Sequence, residues 1–289
     1  MRIASYNLCN LLDAAQAETA GVGVKSEDGM KALAGTIGQV NADVLLVQEV
    51  GSRQVLGLLN ERLAGAYPFL EVLPGNSPRG IHLGILSREP FQLTSHRMLA
   101  LCDAAGQPLQ EYDTEADAAA GRAAPVRLQR DLLLAEVMLE DAGVLALFNV
   151  HLKSRTNRPW RMLAADDIRV AEVHCVARVV REYLDSHSGR PVIVAGDFND
   201  TRHSDVLATL FRLPLADPMG EVLAKTGRNP STYWPKRRMR LDYLLLSETA
   251  RSLLLPGSPA IHAGQRARRA SDHYPVSVDL DPGRLPAGD

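Results

Sequence analysis

The chain has 289 residues, 46% hydrophobic and 23% charged, and its 32 basic and 34 acidic residues leave a formal net charge of −2. That is the composition of a soluble globular protein of about one domain, and the charge by itself announces no nucleic-acid partner. No apolar run approaches the ~20 residues of a membrane span, and Cys9, Cys102 and Cys175 lack the spacing of a zinc site or redox pair, so they read as reduced thiols.

Residues 1–6 form a β-rich run that ends in Asn7. With a strand starting at once, no signal peptide is visible, and a cytoplasmic protein is expected. Residues 31–40 read as a helix with Leu33, Ile37 and Val40 on one face; residues 53–64 read as another, with Val55, Leu56, Leu59 and Leu63 at helical spacing. Between them, residues 43–48 form an apolar strand that ends in Glu49. Residues 81–87 and 132–139 read as strands. The segment 102–124 is rich in alanine, glycine and acidic residues and has no periodic stripe, which predicts a surface insertion. Residues 144–150 form a strand that ends in His151. Residues 164–184 make the longest amphipathic helix, with Ile168, Val176 and Val180 in its stripe. Residues 191–195 read as a buried strand running into Gly196, Asp197, Phe198 and Asn199, and a short helix is expected over 205–211. Residues 241–247 form a strand with Asp242 at its start. Ser271, Asp272 and His273 stand just before the alternating strand 274–280, and residues 281–289 are a Pro/Gly-rich tail.

Six strand-like segments thus each carry a metal-binding or proton-transfer side chain to one end. Turn chemistry accounts for one Asn or Asp at a strand end, but not for this recurrence. Strand alternation sends Asp197 and Asn199 to one side and Phe198 to the other. Local charge adds to the pattern. Residues 225–240 hold six basic residues and no acidic one, residues 151–161 hold four and none, and residues 103–117 hold five acidic residues and no basic one.

The order NLCN, VQEV, NVHLKS, GDFN, LDYLLLS and SDHYPV resembles the endonuclease/exonuclease/phosphatase superfamily, over residues 2–280. His151 stands where abasic-site endonucleases carry a Tyr-based motif. The NVHLKS run is instead similar to the deoxyribonuclease-like, phosphatase, sphingomyelinase and deadenylase branches, and with the opening it looks most like bacterial nuclease-like members. The resemblance implies an α+β fold, a four-layer α/β/β/α sandwich of the deoxyribonuclease-I-like kind, as a single catalytic domain over 1–280. Periodicity alone yields α+β with many strands.

Phosphoester hydrolysis needs charge neutralised on the phosphate oxygens, an activated water and a stabilised leaving group. In this family pattern Glu49 is the leading metal ligand, assisted by Asn7 and by Asp272, which binds metal or orients the site. Oxygen donors of this kind favour Mg²⁺ or Mn²⁺. His273 polarises or deprotonates the attacking water, and Asp242 fixes its tautomer. Asp197 orients the water or takes its proton, and the choice between Asp197 and His273 stays open. Asn199 holds a phosphate oxygen, and His151 donates to the phosphate or the leaving oxygen. Arg79, Arg130 and Arg155 are phosphate-gripping residues; Arg240 does the same or braces Asp242. Asn10 caps the next segment. His82, His96, His174, His187, His203 and His262 read as satisfied side chains without a catalytic part. Tyr233, Trp234, Lys236, Arg237 and Arg238 suit base stacking with backbone neutralisation, and equally an exposed loop.

The expected function is a divalent-metal-dependent phosphodiesterase, a nuclease acting on DNA or RNA. The alternative is a phosphomonoesterase or a phospholipid or inositol-phosphate hydrolase with a small phosphoester substrate. A non-catalytic binding module is disfavoured because Glu49, His151, Asp197, Asn199, Asp242 and His273 are all present.

Overall fold

The apolar runs become two facing six-stranded sheets in the computed structural model, which describes residues 1–103, 105–139, 143–157, 161–227, 231–235 and 238–284. The strands are β1 (Arg2–Leu11), β2 (Val44–Val50), β3 (Phe69–Leu73), β4 (His82–Ser87), β5 (Phe91–Ser95), β6 (Gln110–Glu111), β7 (Ala124–Pro125), β8 (Leu132–Leu139), β9 (Gly143–His151), β10 (Val192–Asp197), β11 (Leu215–Ala216), β12 (Asp242–Ser247), β13 (Ala260–Ile261) and β14 (Val276–Asp279). The helices are α1 (Ala14–Ala20), α2 (Glu27–Val40), α3 (Arg53–Glu61), α4 (Glu115–Ala119), α5 (Ala165–Ser186), α6 (Pro218–Thr226), α7 (Glu248–Ser252) and α8 (Gln265–Ala270). One sheet runs β13-β14-β1-β2-β4-β3 and the other β11-β12-β10-β9-β8-β5.

The central strands are apolar on both faces because both faces are covered. Between the sheets, Leu46 and Ile85 meet Leu147, Ile193 and Leu244. Outside the first sheet, α2 and α3 lay Leu33, Ile37, Leu56 and Leu59 on Leu45 and Val47. Outside the second, α5 lays Ile168, Val176 and Val180 on Phe148 and Val194. The result is the α/β/β/α sandwich. Asn149 is polar in the middle of this core. Its amide donates to the carbonyls of Val47 (3.0 Å) and Gly84 (3.1 Å) and accepts from Gln48 Nε2 (2.8 Å), which pins the two sheets together near the strand ends that carry Glu49 and His151.

Local chemistry sets the helix ends. Ser26 caps α2 by accepting from Gly29 N–H, with Glu27 and Asp28 in the first turn and Asn41 left-handed at its end. Helix α3 stops at Glu61 rather than continuing to residue 64, because Ala64 and Gly65 both take positive φ and turn the chain. Strand β1 runs four residues past Asn7, through a left-handed bulge at Cys9 and Asn10. The helix expected over 205–211 is two 3-10 turns, Asp205–Leu207 and Leu210–Arg212. Residues 105–124 of the expected insertion are folded: β6 and β7 pair around α4, and buried Glu111 accepts from the N–H groups of Met162 (2.8 Å) and Leu163 (3.0 Å). The periodic stripe is missing there because side-chain and backbone hydrogen bonds, not an apolar face, hold it. After β14 the chain makes a 3-10 turn at Pro282–Arg284. Among the described residues no helix is long and apolar enough to cross a membrane.

Candidate active site

Sheet register brings the site together. Strands β9, β10 and β12 place His151 opposite Asp197 and Asp197 opposite Asp242, so three side chains from distant sequence positions stand at one level. On the facing sheet β1 pairs Asn7 with Gln48 of β2, one residue before Glu49. Glu49 sits at φ 62°, where the β2 register shifts, and Asn199 at φ 51° just beyond β10. Left-handed backbone at a non-glycine residue is uncommon and collects at working sites. The third contributor is the segment before β14. Ser271 Oγ donates to the Asn7 carbonyl (2.7 Å) and accepts from His273 N–H (3.0 Å), which fastens His273 to β1.

Asp197 Oδ2 is the hub. Asn7 Nδ2 donates to it at 3.0 Å, Asn199 Nδ2 lies at 3.4 Å, and Nε2 of both His151 and His273 stands 3.7 Å away. Asp197 Oδ1 accepts from Asn199 N–H (2.8 Å). Asp242 Oδ2 lies 2.8 Å from His273 Nδ1, so the expected His–Asp pair forms. Gly196 is required here. Its φ is 140°, and a Cβ on it would stand 1.9 Å from the Val150 carbonyl oxygen of the neighbouring strand.

Burial and neighbouring charge poise these groups differently. Burial alone pushes the His273 imidazole down, but Asp242 and then Asp197 outweigh it and raise it to about 10. Burial raises Asp197 to about 7, with His273 pulling it down and Asp242 pushing it up. Burial, Arg130, His273 and Arg79 hold His151 well below its ordinary value, so it is neutral at pH 7. Its Nδ1 is buried without a partner. At neutral pH the site thus pairs an imidazolium at His273 with a neutral imidazole at His151.

Two groups of residues bear on metal binding. Among the described residues, Asp197, Asp242 and His273 each offer a ligand atom within 4.8 Å of the others. That cluster could hold a cation only with His273 in its neutral form, since an imidazolium has no lone pair to offer. The second group is Asn7, Glu49 and Asp272, which all line the catalytic cavity. Glu49 is 14% exposed and accepts one backbone hydrogen bond, from Asn10 N–H at 3.0 Å, so carboxylate lone pairs stay open to the cavity. This hard-oxygen set fits Mg²⁺ or Mn²⁺ chemistry without disturbing the His–Asp pair.

The cavity, about 270 Å³, gathers Asn7, Glu49, His151, Asp197, Asn199, Asp272 and His273, together with Arg79, Arg130, Arg155 and Tyr233. The Tyr233 ring lies 5.1 Å from that of His273. Several expectations need correction. Asn199 lines the cavity, but its amide donates to the Leu152 carbonyl (2.9 Å) as well as approaching Asp197, so it positions the Asp197 loop rather than standing free for phosphate. Arg155 lines the cavity as expected and is also paired with buried Asp200, which takes Arg169 Nη2 at 3.0 Å. Arg240 does not brace Asp242; it pairs with Asp217. Asn10 caps nothing, since Asp13 caps α1, and its side chain instead accepts from Arg79 Nη2 at 2.5 Å. Trp234 turns away: Nε1 donates to the Ser271 carbonyl (3.0 Å), with the Arg268 guanidinium 5.9 Å from its ring. Arg238 lines a different, neighbouring cavity. Lys236 and Arg237 lie outside the described residues. His82, His96, His187 and His262 each have a hydrogen-bond partner, as expected for structural histidines.

Sequence reasoning missed Met239, Ser154 and Thr156, which line the cavity from loops. It also missed Lys25, whose Nζ donates to the Ala270 carbonyl (2.8 Å) just behind Asp272. No local pattern marks a loop residue that acts across the fold. Cys9 stands beside Asp272 and Glu49, and burial and these two acids raise its thiol to about 11, which keeps it neutral.

A family model described as Endonuclease/Exonuclease/phosphatase family matches residues 4–273. No curated protein matches the chain. Among solved structures, the chain is similar to truncated TDP2 from Caenorhabditis elegans, at 18% identity over 96% of this chain and 95% of that one, with a TM-score of 0.58. It is similar to the human Nocturnin catalytic domain with bound sulfate, at 18% identity over 97% and 94%, TM-score 0.61. It is also similar to an endonuclease/exonuclease/phosphatase from Beutenbergia cavernae, at 19% identity over 100% and 73%, TM-score 0.59. At these identities the likeness is one of fold.

Proposed function

The chain belongs to the endonuclease/exonuclease/phosphatase family, and from that premise we propose that it is a divalent-metal-dependent phosphodiesterase acting on nucleic acid. Members of the family hydrolyse phosphoesters and generally use divalent metals. The observation that supports the reading most is the convergence of Asn7, Asn199, His151 and His273 on one oxygen of Asp197, at the mouth of a cavity that also holds Glu49 and Asp272.

In this reading Asn7, Glu49 and Asp272 hold Mg²⁺ or Mn²⁺. The ion supplies charge neutralisation on the phosphate oxygens and eases deprotonation of water. Asp197 takes the proton of the attacking water: it is raised to about 7, which poises it to accept one near neutrality. His273, kept protonated by Asp242, donates through Nε2 to a phosphate oxygen. His151, neutral and facing the same point, donates a second hydrogen bond. These donors are in place before the reaction, which is the arrangement that stabilises developing charge most strongly.

The nucleic-acid part of the proposal draws on the surroundings. A second cavity of about 270 Å³ shares Arg79, Arg130, Ser154 and Thr156 with the catalytic one and has Lys153 in its wall. A row of cations leading away from the reacting phosphate suits a substrate with further phosphates. The test is hydrolysis of single-stranded DNA, RNA, plasmid DNA, bis(p-nitrophenyl) phosphate and inositol phosphates, with Mg²⁺, Mn²⁺ or EDTA. Metal-dependent cleavage with a polynucleotide as the best substrate is expected. Full activity in EDTA removes the metal, and a preference for inositol phosphates or phosphomonoesters overturns the nuclease reading.

A further inference from the structure

Beside the catalytic cavity lies a larger one, about 580 Å³ against about 270 Å³. It contains none of the groups that hold the metal or move the proton. Helix α6 supplies Leu223 and Ala224, the loop that follows β10 supplies Arg202, and the segment before β12 supplies Arg238, Met239 and Arg240. Met239 lines both cavities. The two cavities therefore adjoin at Met239.

The wall is built around one buried carboxylate. Asp217 caps α6 by accepting from Gly220 N–H (3.0 Å). It also binds two guanidinium groups, Arg202 Nη1 at 3.0 Å and Arg240 Nη1 at 2.8 Å. Glu221 also lines the chamber, so Arg202, Arg238 and Arg240 against Asp217 and Glu221 leave one net positive charge there. The Arg240 guanidinium lies 4.4 Å from the centroid of the buried Tyr243 ring, which fixes it further. Residue 220 must be glycine for this packing, since a Cβ there would stand 2.5 Å from the Asp217 carboxylate. Arg238 is exposed at the mouth. The chamber is thus lined by the side chains of Leu223, Ala224 and Met239, with three arginines and Glu221 around them.

Ligand sites of this volume are mostly apolar with a few placed polar groups. A flat aromatic group attached to an anion satisfies both parts of the wall. A polyanionic sugar phosphate would leave the carbon surface unused, and an acyl chain would leave the arginines unused. We propose that this chamber is a base subsite, which receives the nucleobase of the nucleotide whose phosphate occupies the catalytic cavity. The proposal rests on the phosphodiesterase reading above and specifies the group its substrate carries on the Met239 side.

The test compares binding of adenosine 5′-monophosphate and ribose 5-phosphate by calorimetry in Mg²⁺, since the second keeps the sugar and phosphate and carries an anomeric hydroxyl in place of the base. Wild type should bind the nucleotide about tenfold more tightly, the scale of one stacked base. Ala224→Trp, on the exposed flank of α6, should fill the chamber and bring the nucleotide down to the affinity of the sugar phosphate, which itself stays unchanged. Leu223→Trp should do the same, and a thermal melt of each variant checks that it folds. Equal affinities in wild type, or a base preference that survives in both folded variants, overturns the subsite. Chelator-sensitive hydrolysis of bis(p-nitrophenyl) phosphate by wild type is scored separately. Its absence would overturn the phosphodiesterase reading, while the base preference would stand or fall on binding alone.

Discussion

Asp242→Asn tests the electrostatic core of the site. The substitution keeps the shape of the side chain 2.8 Å from His273 Nδ1 and removes its charge. His273 stands at about 10 against an ordinary value of 6.5, with burial opposing and Asp242 the first of the groups that raise it. An opposing charge this close is worth about 2 pH units, or about 3 kcal/mol. The folded protein binds a proton at His273 that the unfolded chain releases near 6.5. This stabilisation is therefore complete below pH 6.5 and lost as pH rises through about 10. Asp197, raised to about 7, also holds its proton more tightly when folded, so it steepens the fall at lower pH and does not reverse its sign. Urea unfolding of the EDTA-treated protein from pH 6.5 to 10 should show wild type losing about 3 kcal/mol more than Asp242→Asn. The upper pH limit of hydrolysis should move down by about 2 pH units in the variant, because His273 then loses its proton that much earlier. Parallel stability curves for the two proteins would show that Asp242 does not hold the proton on His273, and the reasoning would fail.

The other expectations concern single contacts. Gly196→Ala drives a methyl group into the Val150 carbonyl at a φ of 140° and should cost more than about 3 kcal/mol, read as a lowered urea midpoint or as failure to fold; a stable variant would mean that β9 and β10 can separate freely. Glu49→Gln should weaken Mn²⁺ binding by calorimetry and slow hydrolysis together while moving the melting temperature little, since Glu49 takes part in one backbone hydrogen bond only; unchanged Mn²⁺ affinity would take Glu49 out of the metal site. Arg169→Met leaves buried Asp200 with only the half-exposed Arg155 as its cation and should destabilise by about 3–5 kcal/mol; a loss under about 1 kcal/mol would show that Arg155 alone satisfies Asp200.

Much of the molecule was legible because it depends on short-range order. Residues 132–139 alternate little and are apolar except for Glu136, and they form β8 with those bounds. Residues 191–195 lead into Asp197, which closes β10 as the buried run implies. The stripe of Ile168, Val176 and Val180 faces the second sheet as its spacing requires. Elements without such a signature were missed: α1 and α8 are short, β3 and β5 are half-exposed edge strands, and α6 is set off by a Pro at its start and Gly227 at its end rather than by a stripe.

The amino-acid order by itself determined which groups reach the rim of the sandwich, since strand periodicity and strand ends are local properties. It therefore indicated Asn7, Glu49, His151, Asp197, Asp242 and His273 together. Only the tertiary structure decided what each of them does. Asp197 meets Asn7 across 190 positions of chain, and His273 meets Asp242 across 31. These distances, together with burial, make one histidine a cation and the other neutral. The arginines show the same division. Arg79, Arg130, Arg155 and Arg240 look alike in sequence, yet Asp217 holds Arg240 in the wall of the neighbouring chamber, Asp200 engages Arg155 at the edge of the catalytic cavity, and Arg79 and Arg130 line that cavity beside it. A guanidinium has the same charge everywhere; whether it serves a substrate depends on which carboxylate the fold has already placed against it.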